Sequence, residues 1–171
     1  MIKIAAIILV TPTTNQPWLL ALLEQIAEIS ELYVHIVKGS NYSATLGLRR
    51  NELIQEVPSI FTHVMFIDDD DLISVPGMQQ SILELKDSLT NSLVIQEQQF
   101  NVSGLIGQPR VCCRCITDTH LARIVARLTY AKGLPDKAYA TYLLRECKVQ
   151  VSSQVSYYWR RHDKQISKRG S

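Results

Sequence analysis

Phe61-Thr62-His63-Val64-Met65-Phe66-Ile67 runs without a break into Asp68-Asp69-Asp70-Asp71. A short run rich in apolar, β-branched and aromatic residues that ends in a polar cluster reads as a buried strand at the point where it leaves its sheet. The residues upstream repeat the pattern. Met1 to Val10 is apolar on both faces, as a buried parallel strand should be. Pro17 then opens Trp18 to Ser30, where Leu19, Leu22, Leu23, Ile26 and Ile29 recur at helical spacing. Leu32 to Val37 predicts a second strand, Gly39-Ser40-Asn41 a turn, and Ala44 to Val57 a second helix stopped by Pro58. This alternation predicts right-handed βαβ units and an α/β fold with a Rossmann-like, mostly parallel central sheet flanked by helices.

Downstream of the aspartates, Met78 to Leu89 predicts a helix and Leu93 to Phe100 and Leu105 to Ile116 predict strands. Thr119 to Lys132 and Asp136 to Cys147 read as helices divided by Gly133-Leu134-Pro135, and Val149 to Trp159 as a last strand that enters a basic tail. With 171 residues, 46% hydrophobic and 20% charged, the composition is that of one globular domain and excludes disorder. The longest apolar run, Ile4 to Val10, is too short to cross a membrane and carries no cleavage pattern of a secretion signal, so a cytoplasmic protein is expected. Cys112, Cys113 and Cys115 lack a second pair of the right spacing for zinc and read as small apolar filler.

Charge is uneven along the chain. Residues 1 to 109 hold 5 Lys/Arg against 12 Asp/Glu, a balance of −7, whereas residues 110 to 171 hold 13 against 4, a balance of +9. This suits a site where an acidic cluster recruits a cation and basic residues meet an anionic ligand, and it equally suits two solvated faces.

Four adjacent carboxylates repel one another by about 1 to 4 kcal/mol per close pair in a partly wet site, so a positive partner is expected. Mg²⁺ or Mn²⁺ fits, because such ions take one or two protein carboxylates and share their other positions with water and substrate phosphates. On strand geometry Asp68 and Asp70 point to one side. An exposed acidic turn that caps the next helix is the simpler alternative, and the run alone does not separate a transferase from a nuclease, polymerase or phosphatase.

The chain resembles the GT-A fold, family 2-type glycosyltransferases. The residues that carry the likeness are Ile7-Ile8-Leu9-Val10-Thr11-Pro12-Thr13-Thr14-Asn15, Arg49-Arg50-Asn51-Glu52-Leu53-Ile54, and Phe66-Ile67 with the four aspartates, which match that family's opening strand and loop, Arg-Asn helix and DxD motif. Leu134-Pro135-Asp136-Lys137-Ala138-Tyr139 is similar to its Glu-Asp-Tyr helix start, and Tyr157 to Ser167 to its closing Tyr-x-Arg-x-His-x-x-x-x-Ser.

The resemblance implies a metal-dependent, inverting transfer of a sugar from a nucleoside-diphosphate donor to an acceptor hydroxyl, on a glycan, a lipid-linked molecule or a protein. By the same likeness, residues 1–100 form the nucleotide-sugar part of a single domain, and residues 101–171 the acceptor part and tail. Thr11, Pro12, Thr13, Arg50, Asp68 and Asp69 would bind the donor, Asp70 and His162 the Mn²⁺ or Mg²⁺, and Asp136 would take the acceptor's proton. Arg160, Arg161, Lys164 and Lys168 would grip phosphate or lie against an anionic membrane. Two departures stand out: Lys38 replaces the acidic residue expected near the base, and Pro135 the glutamate before Asp136. The missing acidic residue at Lys38 keeps open a catalytically idle binding module. A metal-dependent nuclease or phosphotransferase ranks last, since the basic residues lack the interleaved aromatic platform of single-strand binders.

Overall fold

The computed structural model describes residues 1–38 and 46–161. The expected turn at 39–41, the start of the second helix at Ala44, and the tail with His162, Lys164 and Lys168 lie outside the described residues. The strands are β1 (Ile4–Val10), β2 (Leu32–Lys38), β3 (His63–Asp68), β4 (Leu72–Ile73), β5 (Leu93–Asn101), β6 (Gly104–Asp118) and β7 (Gln150–Arg160). They form one sheet in the order β2-β1-β3-β6-β5-β7-β4. The helices are α1 (Gln16–Ala27), α2 (Leu46–Glu56), α3 (Val75–Asp87), α4 (Thr119–Leu128) and α5 (Asp136–Glu146).

Pairing divides the sheet in two. β1 lies parallel to β2 and β3, as expected of βαβ units. Beyond β3, the long strand β6 runs antiparallel to both β3 and β5, and β7 pairs parallel to β5. Five strands therefore point one way, while β6 and the short β4 point the other. The reversal at β6 is local chemistry: Asn101 Oδ1 accepts from the Ser103 backbone N–H at 2.8 Å, and Gly104 takes φ 118°, a value that only glycine adopts without strain.

Alternate residues of each strand feed two cores. Ile4, Ala6 and Ile8 pack with Leu22 and Ile26 of α1 and Met78 and Ile82 of α3. Ala5, Ile7 and Leu9 pack with Leu53 and Ile54 of α2, Val125 of α4 and Leu143 of α5 on the other face. Both cores draw on residues from before and after position 100. Helix α3 approaches β7 so closely that a Cβ on Gly77 would stand 2.0 Å from the Val155 carbonyl oxygen, which only glycine avoids.

Two local expectations change. The helix predicted over Thr119–Lys132 ends at Leu128, and Tyr130–Lys132 is a 3₁₀ turn. There the Thr129 hydroxyl donates to the Val125 carbonyl at 2.7 Å, and Thr129 adopts φ −120°, outside helical values. The strand alternation invoked for Asp68 and Asp70 stops at Asp68, because the Asp71 N–H donates to the Asp68 carbonyl and closes a turn. Asp70 therefore sits in a turn, where period-two geometry does not apply.

Candidate functional site

β1 and β3 end side by side, with Leu9 opposite Asp68, so the loop after β1 and the aspartate turn after β3 share one edge of the sheet. That edge lies beyond the carboxyl ends of parallel strands, where α/β sheets bind ligands. The β1 loop is internally braced. The Thr11 N–H donates to the Thr14 hydroxyl at 2.8 Å, the Thr14 N–H donates back to the Thr11 carbonyl at 3.1 Å, and Asn15 caps α1 by accepting from the Trp18 N–H at 3.2 Å. The Thr14 hydroxyl in turn donates to Asp69, tying loop to turn. Pro12 and Thr13 are exposed at the tip of the loop.

The four aspartates have separate environments. Asp68 meets two guanidinium groups, Arg50 at 3.2 Å and Arg114. Asp71 is fully buried; it accepts from the Tyr157 hydroxyl at 2.7 Å and from the Arg160 N–H at 2.8 Å. The same Tyr157 oxygen accepts from the Asp68 N–H at 3.0 Å, so one tyrosine organises both ends of the turn. Asp70 is half-buried, and its carbonyl accepts from Arg160 Nε at 2.7 Å. The Arg160 guanidinium is itself held between the Trp18 and Phe100 rings, 4.2 and 4.6 Å from their centroids.

Asp136, at the start of α5, completes a closed charge quartet. Its two oxygens pair with Arg50 and Arg114, the same two arginines that hold Asp68. The Tyr130 hydroxyl donates to Asp136 Oδ1 at 2.8 Å. Arg50 and Arg114 are buried, and each guanidinium lies over a ring, Phe66 at 5.3 Å and Tyr157 at 5.7 Å.

The titration behaviour follows from these partners. Burial pushes the Asp136 carboxyl up, but the charges of Arg50 and Arg114 with the Tyr130 hydrogen bond outweigh it and hold its pKa at about 2. Asp71 goes the other way: burial raises it well above the usual carboxylate range, and the like charges of Asp68 and Asp70 add to the rise. Asp69 is raised by burial, with Asp70 and Asp68 adding to the shift against the Thr14 hydrogen bond.

The site therefore gathers Thr14, Arg50, Asp68, Asp69, Asp70 and Asp136 into one continuous network, while His162 lies outside the described residues. Much of the positive partner expected for the acidic run is supplied by the chain's own arginines. Among the described residues no group of three or more His, Cys, Asp or Glu is arranged to hold a metal ion. Asp69 and Asp70 follow one another in the turn, and their carboxylates are the oxygen donors of which a hard cation takes one or two, leaving its other positions to phosphate and water.

Arg114 and Tyr130, together with the contacts that Tyr157 and Arg160 make with the aspartate turn, escape sequence reading. Arg114 stands inside Val111-Cys112-Cys113-Arg114-Cys115-Ile116, where a single charge within six otherwise apolar residues is itself the signal of a buried partner.

No family model matches the chain, and no curated protein sequence matches it. Among solved structures it is similar to S. aureus TarS 1-349 in complex with UDP-GlcNAc, with a TM-score of 0.66 and 15% identity over 99% of this chain and 62% of that one. It is also similar to the 4-diphosphocytidyl-2C-methyl-D-erythritol synthase of Anaerococcus prevotii, at TM-score 0.60 and 13% identity over 91% and 87% of the two chains. A glycosyltransferase involved in glycosylation of the major capsid of PBCV-1 matches at TM-score 0.51 and 10% identity over 96% and 84%. The chain spans about three fifths of the length of the TarS 1-349 structures. At such identities the likeness shows the fold alone: the sheet and its helices are those of GT-A-like and cytidylyltransferase structures.

Proposed function

We propose that the chain is a GT-A-like transferase that binds a nucleoside-diphosphate sugar across the edge where β1 and β3 end, and moves the sugar to an acceptor hydroxyl with inversion. One observation carries this reading: Thr14 joins the β1 loop to Asp69 while Arg50 and Arg114 join Asp68 to Asp136, so the β1 loop, the aspartate turn and the start of α5, far apart in sequence, converge where the parallel strands end. The similar TarS structure is itself a complex with UDP-GlcNAc, which supports a nucleotide-sugar donor.

In this reading Thr11, Pro12 and Thr13 lie against the base, and Asp68 and Asp69 orient the donor from the turn. Asp70, with Asp69 beside it, would hold Mn²⁺ or Mg²⁺, which when bound offsets the charge gathering on the departing diphosphate. Asp136 would accept the hydroxyl proton. A base with a pKa of about 2 whose oxygens are already paired is weak, so one of its arginines has to release it when substrate enters. That same pairing favours a second reading, in which the chain binds the nucleotide and does not turn it over.

The test is a thermal-shift screen of uridine and cytidine diphosphate sugars with and without Mn²⁺, followed by assay for released nucleoside diphosphate. A ligand that binds only the folded form adds about 2.7 kcal/mol of stability at one hundred times its dissociation constant, and so raises the melting temperature. A shift with turnover is expected. A shift without turnover selects the binding module, and no shift with any nucleotide sugar removes both readings.

A further inference from the structure

Between the C-terminal end of α4, the 129–135 connection and α5 lies an open groove of about 460 Å³, within the range of small-molecule sites. Its apolar lining is Leu128, Leu134, Pro135 and Tyr142, and its rim carries Lys137 and Arg145. Leu128 and Leu134 are exposed, 38% and 40%, although both are large hydrophobic residues. On α5 the residues facing the core are Tyr139, Ala140 and Leu143, so the groove belongs to the opposite side of the helix.

Charge indicates the occupant. Residues 119–148 carry six Lys/Arg against Asp136 and Glu146. Asp136 is consumed by Arg50 and Arg114, which leaves Glu146, itself on the groove. Among the described residues, Lys132, Lys137, Arg145 and Lys148 form no ion pair, whereas Arg49, Arg50, Lys86, Arg110 and Arg114 all do. An apolar trough edged by unmatched cations is complementary to a molecule that is apolar along its length and anionic at one end.

We propose that this groove binds single molecules of an anionic amphiphile, its chain along Leu128, Leu134 and Tyr142 and its head, a phosphate monoester or carboxylate, between Lys137 and Arg145. The site is separate from the nucleotide edge, although Asp136 lies between two of its lining residues, Pro135 and Lys137.

Dodecyl phosphate below its micelle concentration is the probe, added to the full chain and followed by calorimetry and melting temperature. Binding is expected, with affinity reduced about tenfold in Arg145→Glu, the loss of one charged hydrogen bond, and reduced similarly in Leu134→Gln. Both positions are exposed, and unchanged circular dichroism shows that each variant is folded. Equal affinity for dodecyl maltoside overturns the anionic half of the proposal, and equal affinity for inorganic phosphate overturns the apolar half. Binding to phosphatidylglycerol vesicles without binding to the monomeric probe overturns the groove in favour of a membrane surface, and no binding of dodecyl phosphate overturns it outright. None of these readouts involves a nucleotide, so the proposal fails or stands independently of the transferase reading.

Discussion

At the carboxyl end of β3, acidic side chains are answered by the fold: Asp68 and Asp136 by two shared arginines, Asp69 by Thr14, Asp71 by Tyr157 and the Arg160 N–H. Along the outer side of α5, Lys137 and Arg145 stand beside apolar Leu128 and Leu134, and among the described residues no carboxylate pairs with them. The first region uses charge to hold segments far apart in sequence together, and the second holds it ready for something that arrives from outside. Burial makes the difference: a buried ionisable group needs partners or loses its charge through a shifted pKa, whereas exposed charges are solvated and free to serve a ligand.

Removing a partner from the buried quartet should have the largest effect. Asp136→Asn leaves Arg50 and Arg114 with Asp68 alone, and a loss of about 3–5 kcal/mol is expected in urea unfolding at pH 7. A loss below 1 kcal/mol would show that the quartet is not bound as tightly as its burial implies. Asp71→Asn sharpens the contrast within the same region. It removes a buried charge whose pKa is raised and keeps a polar group for Tyr157 and the Arg160 N–H, so it should cost less than Asp136→Asn at pH 7.

The two aspartates also predict opposite pH behaviour. Because the folded pKa of Asp136 is depressed to about 2, its stabilisation is complete above the ordinary aspartate value near 3.8 and disappears as pH falls toward 2. The stability gap between wild type and Asp136→Asn should therefore narrow by about 2 kcal/mol over that window. Asp71, raised in the folded state, opposes folding as pH climbs through its elevated value, so the gap for Asp71→Asn should move in the other direction. Parallel denaturation series at pH 2.5, 4 and 7 read both.

Smaller effects follow at single contacts. Thr14→Val deletes the hydroxyl that reaches Asp69 and should cost about 1 kcal/mol of stability, with a matching loss of nucleotide-dependent thermal shift if the loop and turn act together on the donor. Arg145→Ala should change stability by less than about 0.5 kcal/mol, as an exposed unpaired cation does. A larger loss would mean that the α5 cations serve the fold, and the contrast between the two regions would vanish.

The parallel half of the sheet was legible because its signals are local. The apolar period of Met1–Val10, the helical spacing of Leu19, Leu22 and Ile26, and the abrupt change at Asp68 all sit within windows that one element spans. The convergence of the β1 loop with the aspartate turn followed from that topology. The hairpin of β5 and β6 was visible as two strands, but its antiparallel place between β3 and β7 was not. The expected roles of Asp70 and His162 as metal ligands and Asp136 as base remain proposals, carried by resemblance.

What the amino-acid order determined by itself is therefore the succession of elements and the position of four carboxylates at the end of a buried strand, since hydrophobic period and chain polarity act over a few residues. The tertiary structure alone decided what those carboxylates meet. Arg114 lies 46 residues beyond Asp68, and Asp136 lies 86 beyond Arg50. Such pairs are selected by packing, when burial strips water from the charges and leaves each ion only the partners that the fold has brought within reach.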